Sequence, residues 1–134
     1  MKKLIFSLLF VVVAFSAMAE RRTDKLLREL RDPKSDYVFV IAHRADWRNF
    51  PENSLEAIES AIKMGVDIVE LDVHRTADGA LVICHDKTIN RTTNGMGKIA
   101  ELTLDSIRNC RLRAGHNAVT RYKMPTLEEA LDVS

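Results

Sequence analysis

Hydrophobic positions repeat along this chain with two periods, and the switches between them mark its elements. The segment "RRTDKLLRELRDPKSD" places Leu26, Leu27 and Leu30 on one side of an amphipathic helix, and Pro33 ends it. "YVFVIAHR" is a continuous apolar run, which predicts a strand buried on both faces. In "NFPENSLEAIESAIKMG" the period returns to helical, with Leu55, Ile58, Ala61 and Ile62 as the core stripe and Gly65 at the C-terminal stop. Asn53 or Ser54 can cap this helix, and Glu56 stands three past Asn53, as in a capping box. "IVELDV", residues 68–73, alternates with period two and predicts one strand. "TADG" is a turn, "ALVICHD" a third strand, and "RTTNGMGK" a glycine-marked loop. "TLDSIRNCRL" predicts a helix capped by Thr103, "RAGHNAVTRYK" is a polar, basic stretch, and "MPTLEEALDVS" begins another helix with Thr126 and Glu129 as a capping box. Apolar strands joined by short connections to helices predict an α/β domain with a largely parallel sheet.

The first twenty residues change the picture of the whole chain. Lys2 and Lys3 precede fifteen uncharged residues, and Ala17-Met18-Ala19 forms an A-x-A pattern. This pattern predicts a signal peptide over residues 1–19, an exported (periplasmic or secreted) product, and no stable membrane anchor after cleavage. An amphipathic segment over 20–36 and one domain over 37–134 complete the predicted organisation. Loss of Lys2 and Lys3 would take the net charge from +1 to −1, which argues against a nucleic-acid partner. Cys84 and Cys110 could form a bridge in an exported protein, but each also suits a small buried hydrophobe, which is the reading adopted.

Chemistry gathers at the C-terminal ends of the predicted strands, where parallel α/β folds build their sites. The first strand ends in His43-Arg44, the second carries Glu70 and Asp72, and the third ends in His85-Asp86. Glu70 and Asp72, two apart on a strand, point the same way. At about 6 Å and an effective dielectric near 20 their repulsion is roughly 3 kcal/mol. Such a pair wants a divalent cation of the hard, oxygen-loving kind, a proton on one member, or an ion pair with Arg44 or Arg75. Two histidines for proton transfer and an arginine for a phosphate oxygen would complete a kit for breaking a phosphodiester. A metal-assisted lyase or hydrolase on another substrate fits the same residues.

The ordered set of motifs narrows this. His-Arg at the first strand end, Pro-Glu-Asn before the helix, Glu-x-Asp on the second strand and Asp-Gly in the turn follow one another at fixed spacing. His-Asp, Arg-Thr-Thr with Gly-x-Gly, and "PTLEEAL" complete the set. Over residues 38–132 the chain resembles the glycerophosphodiester phosphodiesterase family. The resemblance implies a TIM (β/α)8 barrel of the phospholipase-C-like phosphodiesterase type. It implies hydrolysis of a small-molecule glycerophosphodiester to glycerol 3-phosphate and an alcohol, in glycerophospholipid metabolism, with Ca²⁺ or Mg²⁺. It makes His43 and His85 the acid/base pair, Arg44 and Glu52 substrate-binding residues, and Glu70 and Asp72 metal ligands. Ala45 and Ser54 replace the family's usual glycine and threonine, and the first matters only if that backbone needs a positive φ. A complete barrel takes about 250 residues, so only its first part is expected here, with a further ligand glutamate and a lysine expected beyond Ser134. A truncated, non-catalytic fragment and a lysophospholipase-D-like phosphodiesterase are the alternatives.

Overall fold

The structure, a computed structural model, describes residues 21–133; the predicted signal peptide lies outside them. Two compact units divide the chain between Val38 and Phe39. In the first, helix α1 (Arg22–Arg31) ends before Pro33 as predicted, with the Asp32 N–H closing the last turn on Arg28 O and Glu29 O. Leu27 and Leu30 are exposed, so the predicted apolar stripe forms without being buried.

The second unit holds strand β1 (Ile41–His43), helix α2 (Leu55–Met64), strands β2 (Ile68–Glu70), β3 (Val73–Arg75) and β4 (Leu81–Ile83), and helices α3 (Leu104–Arg108) and α4 (Leu127–Asp132). Two corrections concern the sheet. Residues 68–73 are not one strand: β2 pairs in parallel with β1, the chain then passes through Leu71 and Asp72, and β3 pairs antiparallel with β4. The predicted, largely parallel sheet is thus one parallel pair and one hairpin. β1 is also short and open, with Val40 and Ile41 more than half exposed, rather than buried on both faces. The reason is that β2 is its only strand neighbour among the described residues.

The helices follow their local signals more closely. Ser54 caps α2, its hydroxyl accepting the Ala57 N–H, and Gly65 ends it at φ 78°. The Asn53–Glu56 box does not form, because Asn53 sits outside the helix at φ 60° with its amide turned to Asp72. Thr126 and Glu129 make the predicted capping box of α4. The predicted helix over 103–112 stops at Arg108, so Cys110 lies beyond it.

Strand β4 separates two cores. Val82 and Cys84 enter a cluster with Ile89, Ile99, Ile107, Leu112 and Met124, while Ile83 enters another with Ala45, Ala57, Ile58, Ala61 and Ala130. Successive residues of "ALVICHD" thus face opposite cores, as a strand's period requires, and His85 is in phase with Ile83. Both cysteines are free, and burial pushes the Cys84 thiol upward.

Ala45 occupies the left-handed region at φ 61°, directly after Arg44 at φ 56°, and its side chain is buried. An Ala45→Gly substitution relieves about 1–2 kcal/mol of backbone strain. It forfeits about 0.8 kcal/mol of methyl burial and about 0.5–1 kcal/mol of chain entropy. The expected net change is within about 1 kcal/mol of zero. Ala61→Gly, in the middle of α2 and fully buried, loses about 1 kcal/mol of helix propensity and about 0.8 kcal/mol of burial with no strain to recover. Urea midpoints of the two variants should therefore separate clearly; equal losses would mean that Ala45 is unstrained.

Candidate active site

The parallel register sets the first contact. His43 stands opposite Glu70 across β1 and β2, and its Nε2 lies 3.9 Å from Glu70 Oε2. The left-handed turn after β1 brings the Arg44 N–H onto the same carboxylate oxygen at 3.1 Å. Arg44 then sends Nη1 to Glu52 Oε1 at 3.2 Å and Nε to within 3.9 Å of Asp72 Oδ2. Arg44 thus reaches both acids, Glu70 with its backbone N–H and Asp72 with its guanidinium, although a break in the strand separates them. Arg44 is the ion-pair partner of Asp72, whereas Arg75 leans over Gly79 in the turn. Asp72 also accepts from Asn53 Nδ2 at 3.1 Å, and its carbonyl accepts the Cys84 N–H at 2.9 Å, carrying the hairpin ladder one step further.

His85 follows β4 by two residues, and its Nδ1 lies 2.8 Å from Asp86 Oδ1. Hydrogen bonds from Arg91, then from His85, hold the Asp86 carboxyl well below the usual carboxylate range. An ionised carboxylate only accepts. His85 therefore carries a proton on Nδ1, and in the neutral ring Nε2 is left as the atom that exchanges one. The His85 carbonyl receives His74 Nε2 at 3.2 Å, which fixes the backbone beneath the ring.

Glu52 joins the two halves. It lies on the wall of a cleft of about 290 Å³ with His43, Arg44 and Trp47, and on its other side it is packed near Asn53, Cys84, His85 and Thr92 with no room for a water molecule between them. A second cleft, of about 200 Å³, adds Trp47, Arg91, Arg113 and His116 around the same carboxylate. Arg113 of the basic stretch therefore borders the site, its guanidinium donating to Thr93 O and Asn117 O, while exposed Lys123 does not line these clefts.

Three residues with no catalytic or binding role assigned from sequence belong to this arrangement. Asn53 was a possible cap, yet its buried side chain serves Asp72. Asp86 and Arg91 were only motif letters. Their spacing of five in a loop offered a weak signal, since either could have been a solvated charge.

Hard oxygen donors fit a divalent cation in kind. Glu70 and Asp72 supply two carboxylates, and the Oδ1 of buried Asn53 has no hydrogen-bond partner. Among the described residues no three His, Cys, Asp or Glu side chains gather at metal-holding spacing.

The Glu52 carboxyl is lowered chiefly by its hydrogen bonds from Arg91, so both Glu52 and Asp86 titrate below their unfolded values. Groups with depressed folded values stabilise above the unfolded carboxylate range, near pH 4, and lose that contribution as pH falls through the folded values. The urea midpoint should therefore drop as pH is taken from about 5 to about 2, and Asp86→Asn should drop less over the same range. An equal acid loss in the variant would show that this carboxylate is not a source of it.

The glycerophosphoryl diester phosphodiesterase family model matches residues 43–134. Glycerophosphodiester phosphodiesterase 1 of Bos taurus is 41% identical over 127 residues, covering 92% of this chain and 37% of the relative. A solved glycerophosphoryl diester phosphodiesterase from Parabacteroides distasonis superimposes with a TM-score of 0.72 at 32% identity, over 82% of this chain and 39% of the other. A phosphodiesterase from Oleispira antarctica, solved with the product sn-glycerol-3-phosphate, gives 0.62 at 36% identity, over 72% of this chain and 39% of the other. These neighbours imply a fold of the TIM-barrel type. The chain spans under two-fifths of the length of each of these relatives. Over the stretch from His43 onward, which holds His43, His85, Arg44 and the acids, it belongs to the glycerophosphoryl diester phosphodiesterase family.

Proposed function

We propose that this chain is the first part of a TIM-barrel phosphodiesterase that hydrolyses glycerophosphodiesters to glycerol 3-phosphate and an alcohol in glycerophospholipid turnover. The observation that carries the reading is Glu52, which lines the His43–Arg44 cleft and is joined to His85 through Arg91 and Asp86. A phosphodiester seated in that cleft would meet a cation in Arg44 and a proton carrier in His43. Arg44 would bind a phosphoryl oxygen, with Glu52 fixing the guanidinium's orientation. His43 and His85 would move the two protons that hydrolysis requires, one from water and one to the leaving alkoxide. Glu70 and Asp72 would hold a Ca²⁺ or Mg²⁺ ion, which when bound would offset negative charge on the phosphoryl oxygens. The signal-like first nineteen residues support export to the periplasm or beyond.

The test is release of glycerol 3-phosphate from glycerophosphocholine by the purified protein. Hydrolysis should be lost in EDTA and restored by added Ca²⁺ or Mg²⁺; turnover that survives chelation would remove the metal from the reading. The lack of a third ligand at metal-holding spacing among the described residues favours a second reading, a non-catalytic fragment of such an enzyme. Robust metal-dependent turnover by residues 20–134 would reject it. A lysophospholipase-D-like activity would use the same residues, and a panel of diesters and lysophospholipids separates the two.

A further inference from the structure

We propose that Arg91 is the positioning residue of this site: one guanidinium holds Asp86 against His85 and Glu52 beside Arg44. The inference rests on the phosphodiesterase reading for the roles of His85 and Arg44, but its geometry stands apart from that reading.

Four hydrogen bonds define the junction. Arg91 Nε and Nη2 donate to Asp86 Oδ2 and Oδ1, each at 2.9 Å. Nη1 and Nη2 donate to Glu52 Oε2 at 2.8 Å and Oε1 at 2.9 Å. Both carboxylates are thus gripped by two oxygens, the fork geometry that only a planar guanidinium provides. From Asp86 the chain continues to His85 Nδ1, and from Glu52 to Arg44 Nη1. One side chain thereby sets a proposed proton carrier and the proposed phosphate binder at once.

The backbone under Arg91 makes this more than an exposed ion pair. Ile89, Thr92 and Thr93 are buried on both sides of it. The Thr93 N–H and hydroxyl both donate to Ile89 O, and the Gly95 N–H donates to Thr93 Oγ1. The loop is therefore pinned on each side of Arg91. A half-exposed arginine on a mobile loop would add little, since solvent screens such a pair and ordering it costs entropy; on a pinned loop its value is geometric. Removing it leaves Asp86 free to turn from His85 and Glu52 free to turn from Arg44.

The experiment reads the His85 ring directly. Long-range ¹H–¹⁵N spectra of the full chain should show neutral His85 protonated on Nδ1. In Arg91→Gln that form should give way to mixed tautomers, with kcat for glycerophosphocholine down about 100-fold, the scale of a misplaced catalytic group, and KM raised. Arg91→Lys keeps the charge but cannot grip two carboxylates; it should show the same tautomer change with a urea midpoint near that of the parent, and it stands in if the glutamine variant does not fold. A folded variant that keeps the parent's tautomer, whatever its activity, overturns the proposal. A tautomer change in a parent protein that shows no hydrolysis supports the positioning role and sinks the phosphodiesterase reading instead.

Discussion

Hydrolysis of glycerophosphocholine is expected to fall about 100- to 10,000-fold in His85→Ala, and by a similar factor in His43→Ala, the range for loss of a positioned general acid or base. The two variants should reach that loss by different routes. His85 has its Nδ1 proton committed to Asp86, so its loss removes a ring whose tautomer is set. His43 is the more exposed ring and has Glu70 as its acidic neighbour at 3.9 Å, so its loss also uncovers a proposed metal ligand. If both act in proton transfer, each variant should lose one limb of a bell-shaped dependence of kcat/KM on pH. Rates of glycerol 3-phosphate release across pH check this. Full activity in both variants would remove the histidines from the chemistry.

The second large effect is on stability. Ile89→Ala should cost about 2–5 kcal/mol, and Ile89→Val about 0.5–1.5 kcal/mol. Ile89 is 1% exposed and packs with Val82, Cys84, Ile99, Ile107, Leu112 and Met124. Its N–H is bonded to Gly97 O and its carbonyl receives Thr93 twice, so the loop has little freedom to collapse into the space. Against a typical total of about 5–15 kcal/mol, the alanine variant would lose a large fraction of the fold's stability. The urea midpoint should fall with an unchanged slope. A loss under about 1 kcal/mol would mean that the loop relaxes freely, and the pinned backbone assigned to Arg91 would go with it.

Local chemistry was readable along the chain wherever neighbours in sequence supply the stabilising groups. The Ser54 and Thr126 caps, the Gly65 stop and the turn closed by Gly79 at φ 91° all lie within a few residues of the groups they satisfy. The alternation of faces along β4, Val82 into one core and Ile83 into the other, was equally visible, because a strand's period is a property of its own backbone. Motif order pointed to His43, Arg44, Glu52, Glu70, Asp72 and His85, and the structure brings His43, Arg44, Glu52, Glu70 and Asp72 into direct contact or near contact.

Sequence by itself determined where the helices start, the Ser54, Thr103 and Thr126 caps, the hairpin turn and which charged residues crowd the strand ends. Only the tertiary structure decided how those residues meet. The period of "IVELDV" cannot say where a strand changes partner, because that depends on the separate chains of hydrogen bonds offered by β1 and β4. The left-handed backbone at Arg44 and Ala45 is imposed by the packing of Ala45 with Ala57 and Ile58, not by a residue that prefers it. Arg91 lies 39 residues from Glu52 in the chain, and no local rule links a loop arginine to a glutamate before a helix. Caps and periods are set by atoms a few residues apart, whereas register and long-range ion pairs exist only once the two cores have closed around β4.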